Sequence, residues 1–324
     1  MSNLGKRISG RIKMTIKNFR SDVHFSLGYA FLRIGSELGG RLHLKRLAQK
    51  STVKMRCWSE AYLEKALEPI WKQYENDTDL GQYEPNAPVW VCWWTGEETA
   101  PALVKRCLRS IRENANGHPV HMITRDNYAE YLDIPDYILQ KVDNGTMCVA
   151  NFSDYLRFSL LAKYGGWWLD ATIFCSQELP EEIFKMPLFT CKGRTGPVDY
   201  YSDYRWTSFC FGGHRGNVAL RFLQAAFDEY WKQHELAIDY LLVDYLICLA
   251  YRKNPTAHRL LDELPENNLH RDDLQAAMNE AFPQERWDEV VRPETVLYKL
   301  SWREKYQEKT PEGGKTVYQY FLEL

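Results

Sequence analysis

The sequence lacks the features of fibrous, disulfide-rich and membrane-spanning proteins. Its 324 residues include eight cysteines but no CxxC pair, and they contain no internal repeat. No uncharged apolar run reaches the length of about 18 residues that a membrane span requires. The cysteine spacing excludes a zinc knuckle and a dense disulfide framework, so most thiols are expected to be buried. The N-terminus has no recognisable secretory leader, which predicts a reducing cytoplasm.

The composition is that of a globular protein, with 45% hydrophobic and 26% charged residues. It excludes disorder and collagen-like or coiled-coil chains. The formal net charge of -2 conceals a strong asymmetry. Residues 1–56 carry 13 Lys and Arg against two acidic residues, a net charge of +11, whereas the remainder carries 28 against 41, a net charge of -13.

Apolar residues are interspersed through this basic segment. They lie partly at helical spacing from Ile8 to Phe19 and closer to alternation from Phe25 to Ile34. A basic amphipathic arm over residues 1–56 that lies on an anionic membrane surface explains the pattern. A solvated extension that packs on its own acidic body, or a loose RNA-binding arm, is an alternative. No RNA-binding signature accompanies the arm, so no nucleic-acid partner is predicted.

Hydrophobic periodicity divides the rest of the chain. A helix is predicted over residues 57–75, and a polar linker follows it. The region 57–87, made of this helix and linker, therefore connects the arm to a domain over residues 88–324. Within the domain, a strand over Val89 to Trp94, a helix ending near Glu113 and a strand over Val120 to Ile123 predict a parallel βαβ unit. The fold class is therefore α/β.

The rest of the domain continues this alternation. A helix over residues 149–163 is stopped by Gly165-Gly166, and a strand over 167–174 follows. Further strands are predicted over 189–192 and 207–211. Helices are predicted over 217–234 and 238–251, and the region 255–293 is expected to be mostly helical.

The segment NFSDYLRFSLLAKYGGWWLDATIF, residues 151–174, carries the most informative chemistry. Asp154 and Arg157 lie three residues apart, so on a helix they share a face. Asp170 interrupts an otherwise apolar strand, and an isolated buried carboxylate is costly, so it needs a metal, a base or a set of hydrogen bonds. At the carboxyl edge of a parallel sheet it would lie where ligands of α/β sheets bind.

The motif SDxxR followed by YGGxxxDxT resembles the nucleotide-sugar signature of bacterial capsular polysaccharide synthesis glycosyltransferases. These enzymes are relatives of α-mannosyl- and galactosyltransferases with an Asp-x-Asp motif and, more distantly, of clostridial glucosylating toxins. The resemblance runs from about Val89 to Tyr320 and includes VWVCWWTG at the first strand and KLSW near the end.

The resemblance implies a GT-A fold, a single Rossmann-like domain, with the basic helical extension placed before it. It implies a UDP-sugar donor, retention of anomeric configuration, and a glycan or lipid-linked glycan acceptor. The expected location is then peripheral, at the inner face of the cytoplasmic membrane.

The resemblance also assigns roles to residues. Trp94 is similar to the residue that stacks on the base, and Asp154 and Arg157 resemble those that hold the ribose and sugar hydroxyls. Trp302 resembles a residue of a loop that closes over the donor. Two further residues are assigned to the same nucleotide-sugar site, Thr95 and Trp168.

The catalytic residue implied by the resemblance is Asp170, which corresponds to the first carboxylate of the Asp-x-Asp motif. Thr172 stands where the second aspartate would bind metal, and Ser301 is the third implied ligand. The expected cofactor is Mn²⁺ or Mg²⁺, because a hard divalent cation neutralises the diphosphate that leaves when a sugar-phosphate bond breaks.

Several assignments have competing interpretations. Lys192 and Arg194 would add positive charge beside the phosphates, or form a solvated turn. Tyr201 and Trp206 would stack on acceptor sugar rings, or simply fill the core.

Two carboxylates, Asp239 and Asp244, are the acidic candidates for a nucleophile, but their spacing does not place them on one helical face. Front-side attack, with the acceptor hydroxyl deprotonated by the leaving phosphate, is therefore favoured. The alternative function is a non-catalytic nucleotide-sugar or glycan-binding protein, in which Thr172 marks a lost metal site.

Overall fold

The computed structural model describes Phe19, residues 22–196 and residues 201–324, without the side chain of Arg41. The first part of the basic arm, residues 1–18 with 20 and 21, lies outside the described residues. Helix α1 spans Leu27–Arg41 and is capped by Ser26, whose Oγ accepts a hydrogen bond from Gly28 N. Helix α2 spans Lys45–Ala66. The described part of the extension is thus largely helical. This includes most of the stretch from Phe25 to Ile34, where the apolar residues are close to alternation in the sequence.

The helix predicted over residues 57–75 begins earlier and is interrupted. It is the second half of α2, which ends at Ala66, and α3 begins after the single residue Leu67 and spans Glu68–Tyr74. Pro69 lies in the first turn of α3. A proline has no N–H to donate and fits a first turn, but it cannot continue a preceding helix. The proline therefore separates the two helices.

The body of the protein consists of short strands separated by helices. The strands within the described residues are β1 Val89–Cys92, β2 Val120–Ile123, β3 Gly166–Leu169, β4 Ile173–Cys175, β5 Leu188–Thr190, β6 Cys210–Gly213 and β7 Leu297–Lys299. The helices are α4 Ala102–Glu113, α5 Asp136–Asp143, α6 Val149–Tyr164, α7 Glu181–Phe184, α8 Val218–Gln233, α9 Leu242–Lys253, α10 Pro255–Glu263, α11 Asp273–Ala277, α12 Gln284–Val290 and α13 Val317–Glu323.

The central sheet has five strands in the order β2-β1-β3-β6-β5. Strand β1 is parallel to both β2 and β3, whereas β6 is antiparallel to β3 and to β5. The predicted βαβ unit is confirmed, with α4 connecting β1 to β2. Because β1 and β3 are parallel neighbours, the residues that follow them lie at the same edge of the sheet.

Two consecutive glycines make the connection from α6 to β3 possible. Gly165 and Gly166 have φ values of +69° and +89°, which are rarely adopted by other residues. A Cβ atom on Gly166 would lie 2.1 Å from the carbonyl oxygen of Pro88, and one on Gly165 would lie 2.6 Å from Arg215 N. The Gly-Gly pair therefore ends α6 and brings β3 directly alongside β1.

The continuous strand predicted over residues 167–174 is two strands. Strand β3 ends at Leu169, and after a turn closed by the hydrogen bond from Ile173 N to Asp170 O, 2.9 Å, the chain enters β4. Strand β4 leaves the central sheet and pairs antiparallel with β7 in a sheet of two. Asp170 thus follows the end of a strand, and the turn places it at the edge of the central sheet.

The remaining regions pack around this sheet. The side chains of β3 are fully buried, and α6 packs between β3 and α8. The polar linker is anchored to the body, since Val218 N donates to Asp79 O at 2.9 Å and Arg221 Nη2 donates to Asp77 Oδ2 at 2.6 Å. All eight cysteines are unpaired and five are buried, as expected. Across the described residues, no helix is both long enough and apolar enough to cross a membrane.

Candidate functional site

A cavity of about 560 Å³ opens at the edge of the sheet where β1 and β3 end. Its wall is built by the residues after β1, by α6, by the turn after β3, by α9 and by the segment at the end of β7. Most of the predicted site residues meet here. The lining includes Trp93, Trp94, Asp154, Arg157, Trp168, Asp170, Thr172, Asp244, Lys299, Ser301 and Trp302.

Asp170 is held by three donors. Its Oδ1 accepts hydrogen bonds from Arg157 Nη2 and Trp168 Nε1, both at 3.0 Å, and its Oδ2 accepts from Lys299 Nζ at 2.9 Å. Burial raises the pKa of this carboxyl group, but Lys299 and Arg157 outweigh burial and lower the pKa to about 2. Asp170 is therefore ionised at neutral pH.

Arg157 joins Asp170 to Asp154. The predicted pair on one helical face is confirmed, because Arg157 Nη1 donates to Asp154 Oδ1 at 2.5 Å on α6. Both side chains are buried, and the guanidinium lies 4.9 Å from the centre of the Trp168 ring. Burial raises the pKa of Asp154 to about 7 against the opposing effect of Arg157. One guanidinium thus connects two carboxyl groups at the cavity wall.

Lys299 comes to the site from a distant part of the sequence. Its Nζ donates to Thr172 Oγ1 at 2.8 Å as well as to Asp170 Oδ2. Lys299 pairs with Ile173 across the two-stranded sheet, and Leu300 N donates to Thr172 O at 3.0 Å. The backbone pairing therefore fixes Lys299 beside the Asp-x-Thr turn.

The three predicted metal ligands are already engaged by protein groups. Asp170 and Thr172 both accept from Lys299, and Ser301 Oγ accepts from Arg303 N at 3.3 Å. Hard divalent cations are held by several oxygen ligands, among which carboxylates are the strongest. No group of three or more His, Cys, Asp or Glu side chains suited to a metal occurs among the described residues. As arranged here, these donors do not fit a divalent ion, and metal binding stays a prediction.

Tryptophan side chains form a second part of the wall. Trp94 packs edge-on against Phe152 with ring centres 4.8 Å apart, and Trp302 packs edge-on against Trp93 at 5.8 Å. Trp94 is half-buried and Trp302 is 44% exposed, whereas Trp168 is 1% exposed. Trp94 and Trp302 can therefore contact a ligand with their rings, while Trp168 acts through its hydrogen bond to Asp170.

Three predicted site residues lie off the cavity wall. Thr95 is exposed and its Oγ1 is 2.6 Å from Thr99 Oγ1. Tyr201 Oη donates to Glu60 Oε1 at 2.8 Å. Trp206 is 1% exposed and donates through Nε1 to Asp244 Oδ1 at 3.0 Å. The stacking role predicted for Trp206 does not fit this burial, and Trp206 is hydrogen-bonded to the cavity residue Asp244.

The two basic residues predicted to lie near the phosphates are also elsewhere. Lys192 Nζ donates to the carbonyl oxygens of Leu261 and Asp262, both at 2.9 Å. Arg194 is exposed, with Nη2 at 3.4 Å from Asp203 Oδ1. Neither lines the cavity, and their interpretation as part of a turn fits better.

The two acidic residues of the 238–251 region separate in the structure. Asp239 accepts from Arg33 Nη2 at 3.1 Å, whereas Asp244 lines the cavity. Burial raises the pKa of Asp244 to about 6. The sequence did not assign Lys299 a role, although it begins the KLSW motif, because its partners lie more than 120 residues away in the sequence.

Comparison with known proteins identifies the family. The family model described as "Capsular polysaccharide synthesis protein" matches residues 41–321. No curated protein matches the chain. Among solved structures, the PaToxG glycosyltransferase aligns at 14% sequence identity with a TM-score of 0.38, covering 72% of this chain and 94% of that chain. Because the family model spans most of the chain, the protein belongs to the capsular polysaccharide synthesis family.

Proposed function

We propose that this protein is a glycosyltransferase that moves a sugar from a nucleotide-sugar donor to a growing capsular or cell-surface polysaccharide. The observation that carries the proposal is the convergence of Trp94, Asp154, Arg157, Asp170 and Trp302 on one cavity. This cavity opens at the carboxyl edge of parallel strands, where α/β sheets bind their ligands. Membership of the capsular polysaccharide family supports a glycan as the acceptor.

The donor is proposed to be a UDP-sugar bound in a GT-A-like domain. The cavity volume of about 560 Å³ falls within the range of roughly 300–1,000 Å³ typical of small-molecule sites. The half-buried Trp94 ring offers a surface for the base, and stacking does not require additional polar groups. The carboxyl groups of Asp154 and Asp170, tied together by Arg157, are suited to accept hydrogen bonds from ribose and sugar hydroxyls.

The transfer is proposed to proceed with retention and without a protein nucleophile. Asp170 is bound to Arg157, Trp168 and Lys299, so its carboxylate is positioned to hold those groups rather than to attack carbon. The acceptor oxygen bonds to the anomeric carbon as the bond from that carbon to the phosphate oxygen breaks. The proton of the acceptor hydroxyl passes to the leaving phosphate.

A donor panel tests this proposal. The purified protein is incubated with UDP-glucose, UDP-galactose, UDP-N-acetylglucosamine and UDP-N-acetylgalactosamine, and released UDP is measured, with GDP-mannose as the next donor. We expect release from at least one donor, and loss of that release in Asp170→Asn. Binding of a donor without release under any condition would instead support the non-catalytic binding protein.

A membrane-facing surface accompanies the proposed active site. Leu27, Phe31, Leu38 and Leu42 are 61%, 63%, 43% and 64% exposed. At 100° per residue, Leu27, Phe31 and Leu38 lie within about 40° of one another on α1, and Leu42 directly follows the last residue of the helix. The adjoining start of α2 exposes basic side chains. Those basic residues are Lys45, Arg46, Lys50 and Lys54.

An apolar stripe flanked by positive charge is suited to an anionic bilayer surface, so we assign the extension to peripheral binding at the inner face of the cytoplasmic membrane. Sedimentation with vesicles of phosphatidylglycerol and phosphatidylcholine tests the assignment. We expect Phe31→Ser with Leu42→Ser to release the protein, whereas Leu269→Ser, which alters an exposed leucine of the body, leaves binding intact. Equal binding to neutral vesicles, or unchanged binding of the double variant, would refute it.

A further inference from the structure

The ammonium group of Lys299 occupies the position between the first two residues predicted to bind a metal. Its distances are 2.9 Å to Asp170 Oδ2 and 2.8 Å to Thr172 Oγ1. The same ammonium lies 5.1 Å from the centre of the Phe209 ring, and the side chain is 26% exposed. Lys299 is thus partly shielded from solvent but open to the cavity that it lines.

The backbone holds this lysine in place. Lys299 N donates to Arg271 O at 2.7 Å, and Leu300 N donates to Thr172 O at 3.0 Å. The turn that carries Asp170 and Thr172 is therefore bonded directly to the strand that carries Lys299. A cation fixed in this way needs no rearrangement when charge develops in the reaction.

A divalent ion would compete with Lys299 for the same oxygens. Asp170 is a single carboxylate that already accepts from Arg157 on one oxygen and from Lys299 on the other. A second carboxylate is absent at position 172, where threonine provides only a neutral oxygen. A metal ion placed between them would lie against an ammonium group and be repelled by it.

An ammonium group has three N–H donors. Asp170 and Thr172 engage two of those of Lys299, which leaves one for a ligand in the cavity. We propose that Lys299 acts as the built-in cation of this transferase and donates a hydrogen bond to the diphosphate of the donor in place of a divalent metal. The proposal rests on the glycosyltransferase function proposed above.

The role of Lys299 is electrostatic, and it loses no proton. As the bond between the anomeric carbon and the phosphate oxygen breaks, the electron pair stays on the diphosphate. Lys299 stabilises that added negative charge, while the proton of the acceptor hydroxyl neutralises the leaving oxygen. No oxidant, reductant or further reactant is needed.

The first test compares metal dependence with dependence on Lys299. UDP release is measured after treatment with EDTA and again with added Mn²⁺, for the wild type, Lys299→Ala, Lys299→Arg and the control Lys232→Ala, an exposed lysine of α8. We expect the wild type and the control to be insensitive to EDTA. Lys299→Ala should lose about 100-fold in kcat, and Lys299→Arg should keep part of the activity. Thermal unfolding confirms that each variant is folded.

The second test does not depend on turnover. Binding of UDP in EDTA is measured by calorimetry, and binding of Mn²⁺ by electron paramagnetic resonance. We expect wild-type UDP affinity to be the same with and without Mn²⁺, a roughly tenfold weaker affinity in Lys299→Ala, and no ordered Mn²⁺ in the wild type.

The outcomes separate this inference from the proposed function. Activity that EDTA abolishes and Mn²⁺ restores, or tight Mn²⁺ binding by the wild type, would overturn the role of Lys299 and leave the transferase in place. Absence of UDP release from every donor would refute the transferase, and the UDP and Mn²⁺ binding measurements would then still decide whether Lys299 takes the place of the metal.

Discussion

Arg157 Nη2 lies 3.0 Å from Asp170 Oδ1, and this ion pair connects helix α6 to the residue that follows β3. The same guanidinium binds Asp154 through Nη1, so its two ends are committed to different carboxyl groups. Arginine is suited to this because its donors form a rigid planar fork. The position of Asp170 at the cavity thus depends on a residue of another element.

Replacement of Arg157 separates its geometric role from its charge. A lysine side chain would carry the charge but could not reach both carboxyl groups, so for Arg157→Lys we expect kcat/KM to fall by about 10–100-fold. Arg157→Met should destabilise the fold by roughly 3–5 kcal/mol, because the buried carboxyl group of Asp154 loses its partner. UDP release and urea unfolding measure the two effects. Arg109→Met, in an exposed pair with Glu113, is the control, expected within about 0.5 kcal/mol of the wild type.

Trp94 is predicted to contribute to donor affinity through its ring. For Trp94→Ala we expect the Kd for UDP, measured by calorimetry, to rise about tenfold, because base stacking on an aromatic side chain contributes roughly 1–3 kcal/mol. Trp94→Phe should retain most of the affinity. Trp71→Ala, on α3 and off the cavity wall, should leave the Kd unchanged. Equal affinity in the two Trp94 variants would show that the base lies elsewhere.

Gly166 is predicted to be indispensable for the contact between β3 and β1. Gly166→Ala should destabilise the protein by about 4 kcal/mol or more, because its Cβ would lie 2.1 Å from Pro88 O in addition to the unfavourable φ. Gly117→Ala is a matched control, since Gly117 also has a positive φ, +77°, but nothing lies within 4 Å of the added carbon. In the control variant the free energy of unfolding, measured with urea, should fall by about 1–2 kcal/mol. Similar losses in both variants would mean that the close approach to Pro88 is unimportant.

Asp244 is predicted to make stability depend on pH. Burial raises its pKa to about 6 in the folded protein, whereas an unfolded aspartate ionises near 3.8. Between these values the folded state holds the proton and the unfolded state does not, so the contribution of Asp244 to stability falls as pH rises from about 4 to 6. Relative to Asp244→Asn, the wild type should lose roughly 1–3 kcal/mol over that interval. Urea unfolding at pH 4.5 and 7 measures it, and parallel curves for the two proteins would contradict the shift.

The order of helices and strands was largely predictable, because it depends on local patterns. Strand β2, the parallel βαβ unit and the helix over α6 follow from apolar periodicity and from the Gly-Gly stop. The break between β3 and β4 was not predictable. Its apolar run predicts one strand, and only the pairing of β4 with β7 draws it away from the central sheet.

The candidate site shows the same division. The spacing of Asp154 and Arg157 on one helix, and the placement of Asp170 next to a buried strand, could be inferred from the sequence because each depends on neighbouring residues. The sequence left two interpretations of Trp206 open, stacking on a sugar ring or filling the core. It could not decide between them because the burial of Trp206 depends on contacts with Asp244, Arg205 and Tyr251, which are set by packing.

The family motif, the basic N-terminal segment and the acidic residue that required a partner could all be identified without coordinates. Which partner that residue has was fixed by the tertiary fold. Lys299 and Asp170 are 129 residues apart, and they meet because antiparallel pairing of β7 with β4 sets their register. The sequence shows how many lysine and arginine side chains carry a positive charge at neutral pH. It does not show that the ammonium group of Lys299 lies between Asp170 and Thr172, because that position depends on strand pairing that no local pattern encodes.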